Sequence, residues 1–291
     1  MRILCAVDES PYSEYAIRET ARLAMNTWAN VTILGVHRDS ALVKRASARD
    51  DVDLVKTLRR YRELFLTYFQ ESGSPYDTKR CGYEFMLLAN GAWEDLYLCR
   101  SSMKELKVRL RAGNMSKAIL AEAEEDESDL IVIGCDHDRG CIWEHEAALP
   151  KKVVNGVSCS ALVVTARKKI KNILCCLDQQ SVSQETLEMV NQMVTIHKAR
   201  LKIVGLSKGK ELKPDVDKSM QFILDYYLAR EITPSISIVD TSELESFLAQ
   251  ESEQALIALV MGKKSLLSKT LSKKKVDKLV EASRSSVLIL R

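Results

Sequence analysis

"RILCAVDES", residues 2–10, returns as "NILCCLDQQ", residues 172–180, and this repeat is the starting point for the fold. Each copy is an apolar run closed by an acidic residue, Asp8 in the first and Asp178 in the second. Two further pairs follow in the same order. "DLIVIG", ending at Gly134, has its counterpart in "LIALVMG", ending at Gly262, and "SALVVTAR", starting at Ser160, has its counterpart in "SSVLILR" at residues 285–291. Similar runs in a preserved order point to one supersecondary plan used twice.

Short continuous apolar runs rich in β-branched residues suit strands covered on both faces, as in parallel sheets. Helical patterns lie between them. After Asp8, "SPYSEYAIRETARLAMNTWA" offers Ser10 as N-cap, Pro11 in the first turn and Glu14 as a capping partner. Strands and helices then alternate through "NVTILGVH", "DDVDLVKTLRRYRELFLTYFQES", "ELKVRLRAG", "NMSKAILAEAEEDE" and "EHEAALPKKVVNG". The second half repeats the scheme, with helices expected near 183–197, 213–230, 242–254 and 265–282. The fold class is α/β, two tandem doubly wound, mostly parallel five-stranded sheets. The domains are read as 1–167 and 168–291, joined by the short basic stretch "TARKKIKN" at 165–172. Residues 74–104 carry Phe85 and Trp93 but no clean period, and are read as an insertion without assigned structure.

With 291 residues, 46% hydrophobic and 29% charged, the chain has material for two real cores. Its 43 basic residues nearly balance 40 acidic ones, so bulk charge argues against a nucleic-acid partner. No apolar run approaches a membrane span, and Asp8 interrupts any secretory signal core, which reads as a cytoplasmic protein. Of eight cysteines, Cys5, Cys135, Cys175 and Cys176 sit in apolar runs and read as reduced, buried residues rather than a disulfide framework.

"ILCAVDESPYSEYAIRETARLA", "GNMSKAILAEAEEDESDLIVIG" and "PKKVVNGVSCSALVV" together resemble the universal stress protein (UspA-like) family. The second half resembles it more weakly, through "ILCCLDQQSVSQETLEMV" and "ALIALVMG". The resemblance implies a Rossmann-like, adenine-nucleotide alpha-hydrolase-like sheet. It also implies that the two domains of a tandem member mimic the family's dimer, so that residues 161–164 and 287–290 would meet, with a further homodimer left open. Nucleotide-binding members carry G-x-x-G, nine residues and then G-S or G-T after the fourth strand, with an Asp after the first strand near the nucleoside. By that resemblance Asp8, Val36, Gly134, Asp178 and Gly262 are the residual nucleotide-site positions.

The chemistry of such a loop is that glycines let backbone N–H groups reach phosphate oxygens while a hydroxyl adds a bond at a helix N-terminus. Counting from Gly134, the second glycine position falls on His137 and the terminal pair on Ala147 and Ala148. Two lost charge-assisted bonds weaken binding by roughly a hundredfold to ten-thousandfold. Asp136, Asp138, Glu144 and Glu146, against Arg139, also put net negative charge where phosphates would arrive. From Gly262 the corresponding positions fall on Ser265 and on Lys275 and Val276, or on Lys273 and Lys274 counted from the other end. "GKKSLLSKTLSKKKVDKLV" holds seven lysines, which suit an anion grip or, opposite Leu266, Leu267, Leu271 and Leu279, an exposed amphipathic helix. Cys135, His137, Cys141 and His145 supply metal-type side chains without a recognised zinc spacing, so no metal is assigned.

The expectation is a tandem universal stress protein with degenerate phosphate loops. It would act without catalysis as a stress-response regulatory or partner-binding protein, with no cofactor and a protein partner that sequence does not name. The alternative is an ATP- or AMP-binding member with modified loop geometry and at most slow hydrolysis.

Overall fold

The structure is a computed structural model that describes residues 1–39, 53–69, 74–76, 83–97, 103–136, 141–143, 146–165, 169–177, 182–207, 214–252, 255–261 and 266–291. The chain divides into two compact units, the first built from Met1–Asp136 and Ile142–Val164 and the second from His137–Cys141 and Thr165–Arg291.

Unit 1 contains β1 (Arg2–Val7), α1 (Pro11–Thr27), β2 (Asn30–His37), α2 (Asp53–Leu66), β3 (Tyr83–Leu87), β4 (Trp93–Tyr97), β5 (Leu106–Ala112), α3 (Met115–Glu125), β6 (Leu130–Gly134), α4 (Leu149–Gly156) and β7 (Ser160–Val164). Its strands lie in the order β7-β6-β1-β2-β5-β4-β3. The first five are parallel, and β4 and β3 continue the sheet antiparallel. β1 is buried beyond Arg2, and β6 and β7 are buried throughout, as unbroken apolar runs require. Asn114 caps α3, its side chain accepting from the Lys117 N–H. Ser10 stands at the N-cap of α1, but its side chain makes no capping bond there.

The insertion left unassigned by sequence forms the β3–β4 hairpin. Its turn runs from Leu88 to Ala92, where the Leu88 N–H donates to the Ala92 carbonyl at 2.8 Å and Gly91 takes φ +80°. Asn90 Oδ1 accepts the Ala92 N–H at 3.1 Å, so "NG" does in this loop what it does in tight hairpins generally. Phe85 and Trp93 are both buried.

A buried charge network fastens the hairpin to the unit. Arg109 on β5 donates to Glu94 of β4 at 2.6 Å and to Asp126 at 3.0 Å, and also to Glu122 of α3. Arg111 donates to Glu122 and to Glu125, and Asn90 donates to Glu125 at 2.7 Å. Glu122 is fully buried, so its charge depends on the two guanidinium groups.

Unit 2 contains β8 (Asn172–Leu177), α5 (Gln184–His197), β9 (Arg200–Ser207), α6 (Pro214–Leu228), β10 (Ser235–Asp240), α7 (Leu244–Glu251), β11 (Leu256–Val260), α8 (Leu266–Thr270), α9 (Lys273–Ala282) and β12 (Val287–Leu290). Its order is β10-β9-β8-β11-β12, all parallel. The five parallel strands of unit 1 run in that same order, and the three repeated runs of sequence occupy equivalent strands in both sheets. Where one helix was expected over 265–282 there are two, because Ser272 takes an extended conformation, ψ 161°, as the N-cap of α9. Among the described residues no helix is long and apolar enough to cross a membrane.

Candidate functional site

In an open α/β sheet, ligands sit outside the carboxyl ends of the strands where the strand order reverses. In unit 1 that point lies between β1 and β6, with Asp8 just beyond one strand and Gly134 ending the other.

Asp8 is 4% exposed and is engaged by its own turn. Oδ1 accepts the Ser10 N–H at 3.0 Å and the Ser13 hydroxyl at 2.6 Å, while Oδ2 accepts the Tyr12 hydroxyl. The Asp8 N–H donates in turn to Ser13 Oγ at 3.0 Å. Both carboxylate oxygens therefore stabilise the β1–α1 corner, which α2 supports through the Tyr61 hydroxyl, donating to the Ser10 carbonyl at 3.2 Å. Burial pushes the Tyr61 phenol up to about 12, so it stays protonated as that donor.

Gly134 is required for a reason other than phosphate approach. A Cβ at this position would lie 2.4 Å from the Tyr12 carbonyl oxygen and 2.8 Å from its carbon. The glycine lets the first turn of α1 rest on the end of β6. Its own carbonyl accepts the indole N–H of Trp143, which is 2% exposed, and the Trp143 and Tyr12 rings lie 5.9 Å apart. Two aromatic side chains thus stand where β1 and β6 end, beside Asp8 and Gly134. Val36, the remaining position in this unit, is 7% exposed near the end of β2, level with Arg111 of β5.

The loop after β6 closes on itself. Asp136 and Ile142 form an antiparallel bridge with N–H to carbonyl distances of 3.0 and 3.2 Å, and the Cys135 N–H donates to the Val164 carbonyl at 3.1 Å. Cys135 and Cys141 are buried, and the sulfur of each is held in a disulfide. The expectation of a reduced thiol is wrong for Cys135, though it holds for Cys5, Cys175 and Cys176. Burial raises the Cys5 and Cys175 thiols to about 12, which keeps both as inert core residues. A sulfur held in a disulfide is not a thiolate ligand, which weakens the metal reading of this loop. Downstream, Ala148 stands at the N-cap of α4 and brings no hydroxyl to the helix terminus, and Glu146 is paired with Lys152 at 2.6 Å.

His137, Asp138, Arg139, Glu144 and His145 lie outside the described residues, as do Asp178 and Gly262 of the corresponding corner in unit 2. In α9, Lys273, Lys274 and Lys278 are exposed while Val276, Leu279 and Val280 are buried. Lys275 pairs with Glu245. This is the amphipathic arrangement weighed for the lysine-rich stretch.

Tyr12 and Trp143 were not among the site residues expected from sequence. The available signal was Trp143 itself, a large apolar residue inside an otherwise charged loop.

The universal stress protein family model matches residues 1–165. The chain belongs to the universal stress protein family. Comparison with curated proteins finds no match. Among solved structures the chain is similar to a universal stress protein from Archaeoglobus fulgidus DSM 4304, at 13% identity and a TM-score of 0.59, over 100% of this chain and 96% of that one. A functionally unknown protein from Pseudomonas aeruginosa PAO1 is similar at 13% identity and 0.59, over 99% and 92%. The cytoplasmic domain of a prokaryotic cation chloride cotransporter is similar at 11% and 0.53, over 99% and 94%. At these identities the likeness is one of fold, the Rossmann-like fold of the family.

Proposed function

We propose that this universal stress protein works without catalysis, as a stress-response regulatory protein that binds a protein partner, and that its phosphate loops are degenerate. The observation that carries the reading is the filled corner between β1 and β6. Asp8 is saturated by Ser10, Tyr12 and Ser13, and Trp143 is hydrogen-bonded to Gly134 and set against Tyr12. A nucleoside entering there must displace a buried indole and break hydrogen bonds already made, at a cost of several kcal/mol before any new contact forms. The second unit is proposed to be a second domain of the same family, on the strength of its repeated runs and shared strand order. The cytoplasm is its proposed compartment.

Calorimetric titration of the full chain with ATP, ADP and AMP tests this. No saturable heat up to millimolar nucleotide is the expected result. Saturable binding to the wild type would replace the reading with its rival, an adenine-nucleotide-binding member, and a Gly134→Ala variant would then show whether unit 1 holds the ligand.

A further inference from the structure

The outer strand of unit 2 is built to pair. β10 reads "SISIVD", and β9 is its one strand neighbour within the unit among the described residues. Ile236 and Ile238 are 38% and 39% exposed on it. Solitary edge strands are usually protected by a lysine, a proline or a bulge. β10 carries no lysine or proline between Ser235 and Asp240, and its register with β9 runs unbroken over six pairs. In unit 1 the strand in the same sheet position, β5, is covered by antiparallel β4, with Trp93 opposite Leu110 and Glu94 opposite Arg109.

Two observations fix how β10 presents itself. The Thr241 N–H donates to the Ser207 carbonyl at 3.0 Å. Since successive peptide groups alternate direction, Ser235, Ser237 and Val239 point their backbone groups at β9, while Ile236, Ile238 and Asp240 point theirs outward. Lys202, level with Ser235, reaches Glu251 of α7 at 2.8 Å and lies over the Phe247 ring. Ile236 and Ile238 are one residue out of phase with it, so they project from the face of the sheet opposite α7.

We infer that β10 pairs antiparallel with β10 of a second copy of this chain, about a two-fold axis through Ser237. That register sets Ile236 opposite the partner's Ile238 twice over. Both pairs use the outward backbone groups, and all four isoleucines meet on one face. Slipping by one residue would oppose outward groups to inward ones. Slipping by two would set Ile236 opposite the partner's Asp240, or Ile238 opposite the partner's Pro234. The strand is thus complementary to itself in one register.

Sedimentation velocity of the full chain across the micromolar range is expected to show a monomer–dimer equilibrium, with Ile238→Lys weakening it about a hundredfold, roughly tenfold per copy. Ser237 would form a non-hydrogen-bonded pair with the partner's Ser237 at a Cα separation of about 4.5 Å, within disulfide reach. Ser237→Cys should therefore give a covalent dimer on mild oxidation, where the wild type and Asp240→Cys stay single. Circular dichroism checks that Ile238→Lys is folded, and if it is not, the cysteine test stands alone. A wild type that stays monomeric at high concentration, a dimer untouched by folded Ile238→Lys, or equal cross-linking of Ser237→Cys and Asp240→Cys would each overturn the inference.

Discussion

β5 and β10 hold the same place in two sheets of the same order, yet they are built from opposite materials. β5 carries Arg109 and Arg111, locked by Glu94, Glu122, Glu125 and Asp126 against α3 and the β3–β4 hairpin. β10 alternates serine and isoleucine, has no hairpin beside it among the described residues, and leaves its isoleucines more than a third exposed. In the matching region of unit 2, the ion pair of Lys202 with Glu251 is about a third exposed at each end. The difference shows what an insertion at a sheet edge needs. Extending β5 by two strands covers the edge, and buried ion pairs join that extension to the helix next in sequence. Where the described residues show no such extension, the isoleucines of the outer strand stay partly exposed.

Arg109→Ala should produce the largest loss, about 3–5 kcal/mol, because it leaves fully buried Glu122 and buried Glu94 short of a cation. All three tryptophans, Trp28, Trp93 and Trp143, lie in unit 1, so urea unfolding followed by tryptophan fluorescence reads that unit alone. Gly134→Ala should cost about 3 kcal/mol by the same readout, since its methyl meets backbone rather than a side chain that can turn aside. Cys141→Ser should cost about 2–3 kcal/mol under non-reducing conditions, a difference that a reductant removes by bringing the wild type down to the variant.

Acid should weaken the ion network of unit 1. Burial pushes the Asp126 carboxyl up, but the Thr32 hydroxyl and the charges of Arg109 and Lys107 outweigh it and hold it below the usual carboxylate range. A lowered folded pKa contributes stability above the unfolded value of about 4, lost as pH falls through the folded value. Unit 1 should therefore lose stability progressively below about pH 4, and Asp126→Asn should flatten that slope in the fluorescence-detected transition. The smallest effect belongs to Lys202→Ala in unit 2, under about 1 kcal/mol by far-UV circular dichroism because its ion pair is partly solvated. A loss there as large as that of Arg109→Ala would break the comparison.

Much of the fold was legible because buried parallel strands write themselves as unbroken apolar runs, and the repeat of "RILCAVDES" and "NILCCLDQQ" placed the two central strands. The hairpin was missed although "NG" stood in its turn, because β3 and β4 are short and their alternation is broken by charged residues such as Glu94 and Asp95 that bury on folding. At the site, Asp8 and Gly134 were found from the family pattern, but the work they do was not. Asp8 serves its own turn through bonds to Ser10, Tyr12 and Ser13 within five residues, whereas the room that Gly134 makes for Tyr12 depends on a contact between β6 and α1 across more than a hundred residues of chain. The disulfide state of Cys135 was misread because an apolar flank signals burial and says nothing about whether the buried sulfur is bonded.

The most direct test of the central claim, that unit 1 fills its own nucleotide corner, is native mass spectrometry of the freshly purified full chain, followed by addition of ATP and AMP. The predicted spectrum shows the bare chain mass, or its double, with no adduct that saturates. A stoichiometric adenine-nucleotide adduct that is lost in Gly134→Ala and kept in a folded Lys273→Ala variant would contradict the account.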